Sequence, residues 1–69
     1  MSNEVRNLEL EMDARERSIS DERLRSALAY LNRHAHGVHG FIAVKKLREQ
    51  GMSLANASWL WKRWSTYQA

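Results

Sequence analysis

The chain has 69 residues, no cysteine and a formal net charge of +3. A chain this short forms one small domain that buries about 60% of its unfolded surface, so association with a partner is a common source of added stability. Because cysteine is absent, disulfides and thiolate sites are excluded. No segment approaches the ~20 apolar residues that span a bilayer, and the polar N-terminus is unlike a signal peptide. We therefore expect a soluble cytoplasmic protein.

All predicted elements are helices. The chain has no proline and no window in which apolar and polar residues alternate, as they do in a half-buried strand. We predict an all-α fold in which three helices form a small bundle, at residues 21–35, 41–50 and 54–67. An acidic helix or tail at residues 4–17 precedes them.

Charge is distributed unevenly between these parts. Residues 1–22 carry seven acids and three arginines, a net charge of −4, whereas residues 23–69 carry eight bases and one acid, a net charge of +7. We divide the chain into an acidic segment, 1–18, and a basic helical domain, 19–69. A basic domain favours anionic partners such as nucleic acid. The alternative explanation of the uneven charge is that two ordinary solvated faces of opposite charge are separated by chance.

The N-terminal segment, 4–17, is rich in helix-forming residues. Its Glu11–Arg15 and Asp13–Arg17 pairs have the favourable acid-first order at a spacing of four. Three interpretations remain open for it: a frayed helix, a disordered tail, or half of a dimer contact. Its apolar residues fall on two sides of a helix, one with Val5, Leu8 and Met12 and the other with Leu10 and Ala14.

The helix at 21–35 has the clearest pattern. Ser20 is a favourable N-cap, and Asp21 and Glu22 lie in the first turn, where the helix dipole favours acids. The apolar residues fall within one arc and are predicted to face the core: Leu24, Ala27, Leu28, Leu31 and Ala35.

A glycine-containing loop, 36–40, leads to the helix at 41–50. We expect Gly51 to adopt the left-handed conformation that ends a helix, and Ser53 to cap the last one. The predicted buried side of the helix at 41–50 comprises Phe41, Ala43, Val44 and Leu47.

The last helix, 54–67, contains three tryptophans. Trp61 and Trp64 belong on spacing to the apolar face, whereas Trp59 lies near the centre of the opposite face, beside Lys62 and Arg63. Three accounts of Trp59 are open: the N-terminal segment folds over it, it lies in a homodimer seam, or it contacts a ligand. The full apolar arc comprises Leu54, Ala57, Leu60, Trp61, Trp64 and Tyr67.

Residues 43–62 form a short helix, a three-residue turn that opens with Gly51, and a second helix, and they resemble the helix-turn-helix family. Met52, Ala57 and Leu60 stand where that family keeps apolar residues. The chain departs from the family at Leu47, where a small residue is usual, and at Lys46 and Gln50, which are usually buried. The resemblance implies that the second helix enters the major groove of DNA.

The resemblance and the charge together predict a small DNA-binding regulator, dimeric, that uses its last helix as the reading face. The acidic segment then pairs with its copy or screens the basic face. The alternative function is a small adaptor or inhibitor that binds a larger host protein through the same face. The predicted contacts are Ser53, Asn56, Trp59, Lys62 and Arg63, with Arg25, Arg33, Lys45 and Lys46 on phosphates.

Three histidines, His34, His36 and His39, lie within six residues. Imidazoles bind zinc, but no cysteine or nearby carboxylate completes a ligand set here, so we predict solvated or pH-sensitive histidines and no metal or other cofactor. The sequence also lacks a nucleophile–base pair and a glycine-rich phosphate loop, so we predict that the protein is not an enzyme.

Overall fold

The computed structural model describes the backbone of residues 2–68 and the side chains of residues 8–66. Within this part the chain forms four helices and no strand: α1 (Ser2–Glu16), α2 (Asp21–His34), α3 (Gly40–Glu49) and α4 (Leu54–Gln68). The predicted all-α class is confirmed, and α2, α3 and α4 begin and end within one residue of their predicted bounds. The predictions for Val5 and Tyr67 concern side chains outside the described residues.

The helix ends form as predicted, because the capping chemistry is local. The Ser20 Oγ accepts a hydrogen bond from the Arg23 backbone N–H at 3.1 Å, and the Ser53 Oγ accepts one from the Asn56 N–H at 3.1 Å. Gly51 has φ 104° and ends α3 in the left-handed region. The Arg23 guanidinium donates to the Gln50 carbonyl beside it, in the space that a side chain at position 51 would occupy.

The core lies where two helix pairs meet, with α1 packed against α2 and α3 against α4. Every helix contributes aliphatic or aromatic residues whose side chains are almost completely removed from water. The four largest fully buried side chains are Leu24, Leu31, Leu47 and Leu60.

The acidic N-terminal segment is a helix whose inner side belongs to this core. Leu10 is 3% exposed, Ala14 is fully buried, and Ile19 follows them into the core from the turn after α1. Leu8 and Met12, on the other predicted side, are more than half exposed. Ser18 reverses the chain in that turn with φ 65°.

Five apolar side chains are less buried than predicted. Phe41 is 73% exposed, so its assignment to the buried side of α3 was wrong. Ala43 and Leu47 define that side, and Phe41 is turned away from Ala43 by about 200° around the helix. Leu54, the first residue of α4, is also exposed. Leu28, Val44 and Trp61 are half-buried and pack against the core.

The α3–turn–α4 unit shows where the sequence departs from the helix-turn-helix pattern. Leu47, bulkier than the residue that the family prefers, is fully buried. Lys46 and Gln50 are exposed, so the two positions that the family usually buries face solvent here. In the described part of the chain, no helix combines the length and the apolar character that crossing a bilayer requires.

Candidate nucleic-acid interface

Trp59 lies on the side of α4 that faces the end of α1. Its ring is half-buried and packs against the core, and the Arg17 guanidinium carbon lies over it, 4.8 Å from the ring centroid. The Arg63 guanidinium carbon is 5.7 Å from the same centroid. Both cations are within the range of attraction by the ring face. The structure therefore agrees with the first account of Trp59, in which the N-terminal segment folds over it.

Two other predicted contact residues hold α1 against α4. The Asn56 Nδ2 donates a hydrogen bond of 3.0 Å to the Arg17 carbonyl. The Arg63 Nη1 donates to the Asp13 Oδ2 at 2.6 Å, a charge-assisted bond between partly exposed groups. We call Asp13, Arg17, Asn56, Trp59 and Arg63 the α1 clasp. Because Asn56 and Arg63 are engaged in the clasp, they are not directed outwards as the sequence pattern alone indicated.

A second ion pair secures the turn between α1 and α2. The Arg15 Nε and Nη2 donate to the two carboxylate oxygens of Asp21 at 3.0 and 2.8 Å. This hydrogen bonding, more than any other effect, holds the pKa of Asp21 below its ordinary value, and it raises the pKa of Arg15. The pair lies at the N-terminus of α2, where a carboxylate is also favoured by the helix dipole.

Within the described residues, one side of α4 is not covered by another helix. It lies between Trp59 and the edge of α4 that faces α3. It lies opposite the buried residues Ala57, Leu60 and Trp64, and its side chains are short or flexible. We call it the open face of α4; it comprises the exposed Ala55, Lys62 and Thr66, the half-buried Ser58, and the N-cap Ser53 just before the helix. Ser53 and Lys62 were predicted contact residues, whereas Ala55, Ser58 and Thr66 were missed because the predicted face was centred on Trp59.

The four predicted phosphate contacts, on α2 and α3, are all exposed. Arg25 and Arg33 lie on the outer side of α2, and Lys45 and Lys46 are adjacent on α3. Lys46 forms an ion pair with Glu49, its Nζ lying 3.6 Å from the carboxylate oxygen. An exposed pair of this kind is weak enough to exchange for a phosphate.

An apolar groove was not predicted, because Phe41 and Leu54 had been assigned to the core. It has a volume of about 520 Å³ and runs between α3 and the start of α4. Phe41, 73% exposed, and Leu54, 55% exposed, contribute its most accessible apolar surface. The complete lining is Phe41, Val44, Lys45, Arg48, Glu49, Met52 and Leu54.

The histidines pack separately against aromatic rings. His36 meets the Trp64 ring edge-on at 5.0 Å between centroids, His34 lies 5.3 Å from Tyr30, and His39 stacks on Phe41 at 6.0 Å. Among the residues that the structure describes, no group of three or more His, Cys, Asp or Glu side chains is placed to hold a metal ion.

Comparison with known proteins adds nothing to this geometry. The chain matches no family model, no curated protein and no solved structure. The likeness of residues 43–62 to the helix-turn-helix family is therefore a likeness of local pattern, and the function is inferred from the surface of this chain itself.

Proposed function

We propose that the protein is a small regulator that binds double-stranded DNA, with the open face of α4 in the major groove. The observation that carries the proposal is the chemistry of that face: small hydroxyl side chains, an alanine methyl group and one lysine, with no bulky side chain between them. The Ser53 Oγ accepts from the Asn56 N–H and the Thr66 Oγ1 donates to the Lys62 carbonyl, so Ser53 keeps its donor and Thr66 its acceptor for a base edge. A helix fits the major groove, where hydroxyls bond to base edges, an alanine methyl contacts thymine, and lysine bonds to guanine.

The α1 clasp adds a candidate phosphate contact beside this face. Arg17 is exposed, and stacking on Trp59 restricts the orientation of its guanidinium before any ligand arrives. A guanidinium held on an aromatic ring retains in-plane donors for phosphate oxygens, so less side-chain entropy is lost on binding. Arg25, Arg33, Lys45 and Lys46 remain the other proposed phosphate contacts.

The alternative function, an adaptor or inhibitor that captures a host protein, depends on Trp59 as an anchor. Hot-spot tryptophans insert into a pocket of the partner and need an accessible ring. Here the ring is half-buried, packs against the core and lies beneath Arg17. This arrangement favours the DNA proposal over capture of a protein through the same face.

The proposal is tested by titrating a fluorescent duplex with the protein at two salt concentrations. The logarithm of the association constant should fall linearly with the logarithm of salt, with a slope of about −0.9 for each phosphate contacted. Lys62→Gln should weaken binding about tenfold, equivalent to ~1.4 kcal/mol. Arg48→Gln removes the same charge from the apolar groove, away from the open face, and should weaken binding less.

Two results would contradict the proposal. A chain that does not bind duplex DNA at low salt is not a DNA-binding protein of this kind. Equal losses from Lys62→Gln and Arg48→Gln would mean that net charge alone drives binding and that the open face of α4 does not enter the groove.

A further inference from the structure

Among the side chains of residues 8–66, two exposed apolar surfaces stand out, on different helices. One is the outer side of α1, where Leu8 and Met12 are 57% and 53% exposed and lie one turn apart, so that they form a stripe. The other is the apolar groove between α3 and α4, where Phe41 and Leu54 are exposed. Exposed apolar side chains that adjoin one another, rather than lying singly, are typical of interaction surfaces.

The surroundings of the α1 stripe are acidic. Glu9 and Glu16 are exposed and flank it on one side. On the other side Arg15 is bonded to Asp21 at 2.8 Å and lies 3.8 Å from Glu11, so its charge is already compensated. The stripe is therefore an apolar ridge with an excess of negative charge.

The rim of the apolar groove is basic. Lys45 and Arg48 line it and are exposed. Glu49 also lines it, but the 3.6 Å ion pair with Lys46 compensates this carboxylate. The groove is therefore an apolar depression with an excess of positive charge, opposite to that of the α1 stripe.

We propose that the occupant of the apolar groove is a second copy of this chain, which inserts the outer side of its α1. Two side chains one turn apart on a helix are the usual anchors for a groove of this kind, and methionine adapts readily to an irregular apolar surface. Glu9 and Glu16 of α1 would then approach Lys45 and Arg48 of the groove. The contact joins two different surfaces, the α1 stripe of one copy and the apolar groove of the other. A dimer with two-fold symmetry therefore contains two such contacts.

This self-association shares Lys45 with the proposed phosphate contacts, but it is tested without DNA. It is measured on the protein alone, as the average mass in solution by sedimentation equilibrium over a range of concentrations at low salt. A chain that dimerises without binding DNA, or that binds DNA as a monomer, therefore separates the two proposals.

The test exchanges the charges of the two surfaces. Glu9→Lys with Glu16→Lys makes the stripe basic, and Lys45→Glu with Arg48→Glu makes the groove acidic. Each double variant alone should have a dimer dissociation constant raised about tenfold or more, because like charges then meet at the interface. An equimolar mixture of the two should regain the wild-type dissociation constant, since each stripe again meets a groove of opposite charge.

A matched control exchanges exposed charges elsewhere. Glu22→Lys and Arg33→Glu on α2 should leave the dimer unchanged. Phe41→Ser, at a position 73% exposed, should weaken the dimer without changing the thermal melting of the monomer, and it provides a second measurement if a charge variant fails to fold.

A chain that stays monomeric at all concentrations overturns the proposal. The occupant of the apolar groove would then be a different protein. A dimer that neither double variant weakens, or that the mixture does not restore, overturns it as well.

Discussion

The contribution of α1 to the fold is tested by Leu10→Ala. Leu10 is 3% exposed and lies on the inner side of the helix, so the substitution leaves a cavity in the core. Truncation of a buried leucine costs about 2–5 kcal/mol of unfolding free energy, whereas one core in a domain of this size supplies only about 3–5 kcal/mol in total. We therefore expect Leu10→Ala to remove most of the stability of the whole domain.

Leu8→Ala is the matched control, because it makes the same chemical change on the same helix at a position that is 57% exposed. It should alter the unfolding free energy by no more than about 0.5 kcal/mol. A loss of ~2 kcal/mol for Leu10→Ala would lower Tm by roughly 8–16 °C in a domain of this length.

The assay is urea unfolding followed by tryptophan fluorescence, at a protein concentration low enough to avoid self-association. The signal is the combined emission of the three tryptophans, one of which, Trp59, lies beneath Arg17 where the N-terminal segment meets α4. If Leu10→Ala and Leu8→Ala both cost less than about 0.5 kcal/mol, α1 is not part of the core and the structural reasoning is refuted.

Two further predictions concern single contacts. A Cβ at position 40 would lie 2.6 Å from the Trp61 Nε1, so Gly40→Ala should displace the indole, cost about 1–3 kcal/mol and change tryptophan emission. Gly37→Ala meets nothing within 4 Å and should cost about 1 kcal/mol through its φ of +75° alone, with unchanged emission; equal emission from both variants would contradict the contact. Asp21→Asn should destabilise the protein at neutral pH, where the carboxylate is ionised and bonded to Arg15. Because the folded-state pKa of Asp21 is lowered, that contribution is present above the unfolded pKa and disappears as the pH falls below about 4. Urea unfolding of both proteins at about pH 7 and pH 3 tests this, and a difference that does not shrink in acid would contradict it.

The helix boundaries could be predicted because their signals are local. Ser20 and Ser53 each satisfy a backbone N–H three residues ahead, and Gly51 adopts a conformation that costs other residues energy. These requirements depend on a few neighbouring residues and not on the rest of the fold. Periodicity likewise identified Leu24, Leu31 and Leu60 as core residues.

The surroundings of Trp59 could not be predicted in the same way. Periodicity shows which side of α4 turns away from its own apolar arc, but not whether another helix covers that side. The spacing of Leu10, Ala14 and Ile19 was the available signal, since an inner stripe that continues into the turn indicates a docked helix. Because the apolar residues of α1 are few and fall on two sides of the helix, their pattern alone does not show which side is docked.

The exposure of Leu54 had no sequence signal, whereas that of Phe41 was indicated by its angular position on α3. Both are large apolar residues in the first turns of their helices. Leu54 lies at the edge of the apolar arc of α4, whereas Phe41 lies about 200° around α3 from Ala43 and was predicted to be buried on hydrophobicity alone. Burial also requires a neighbouring element that covers the helix at that point, and at the apolar groove Phe41 and Leu54 both stay more than half exposed.

The α1 clasp also has a consequence for the order in which the chain folds during synthesis. Asp13 and Arg63 are 50 positions apart, and Arg17 and Asn56 are 39 apart. Domains fold as units, and contacts between distant positions wait until both partners are available. On the ribosome, α1 and α2 can pair early, but the side of α1 that meets α4 stays without its partner until residue 63 has left the exit tunnel. We therefore expect the domain to acquire its native structure after synthesis has passed α4, in one late step.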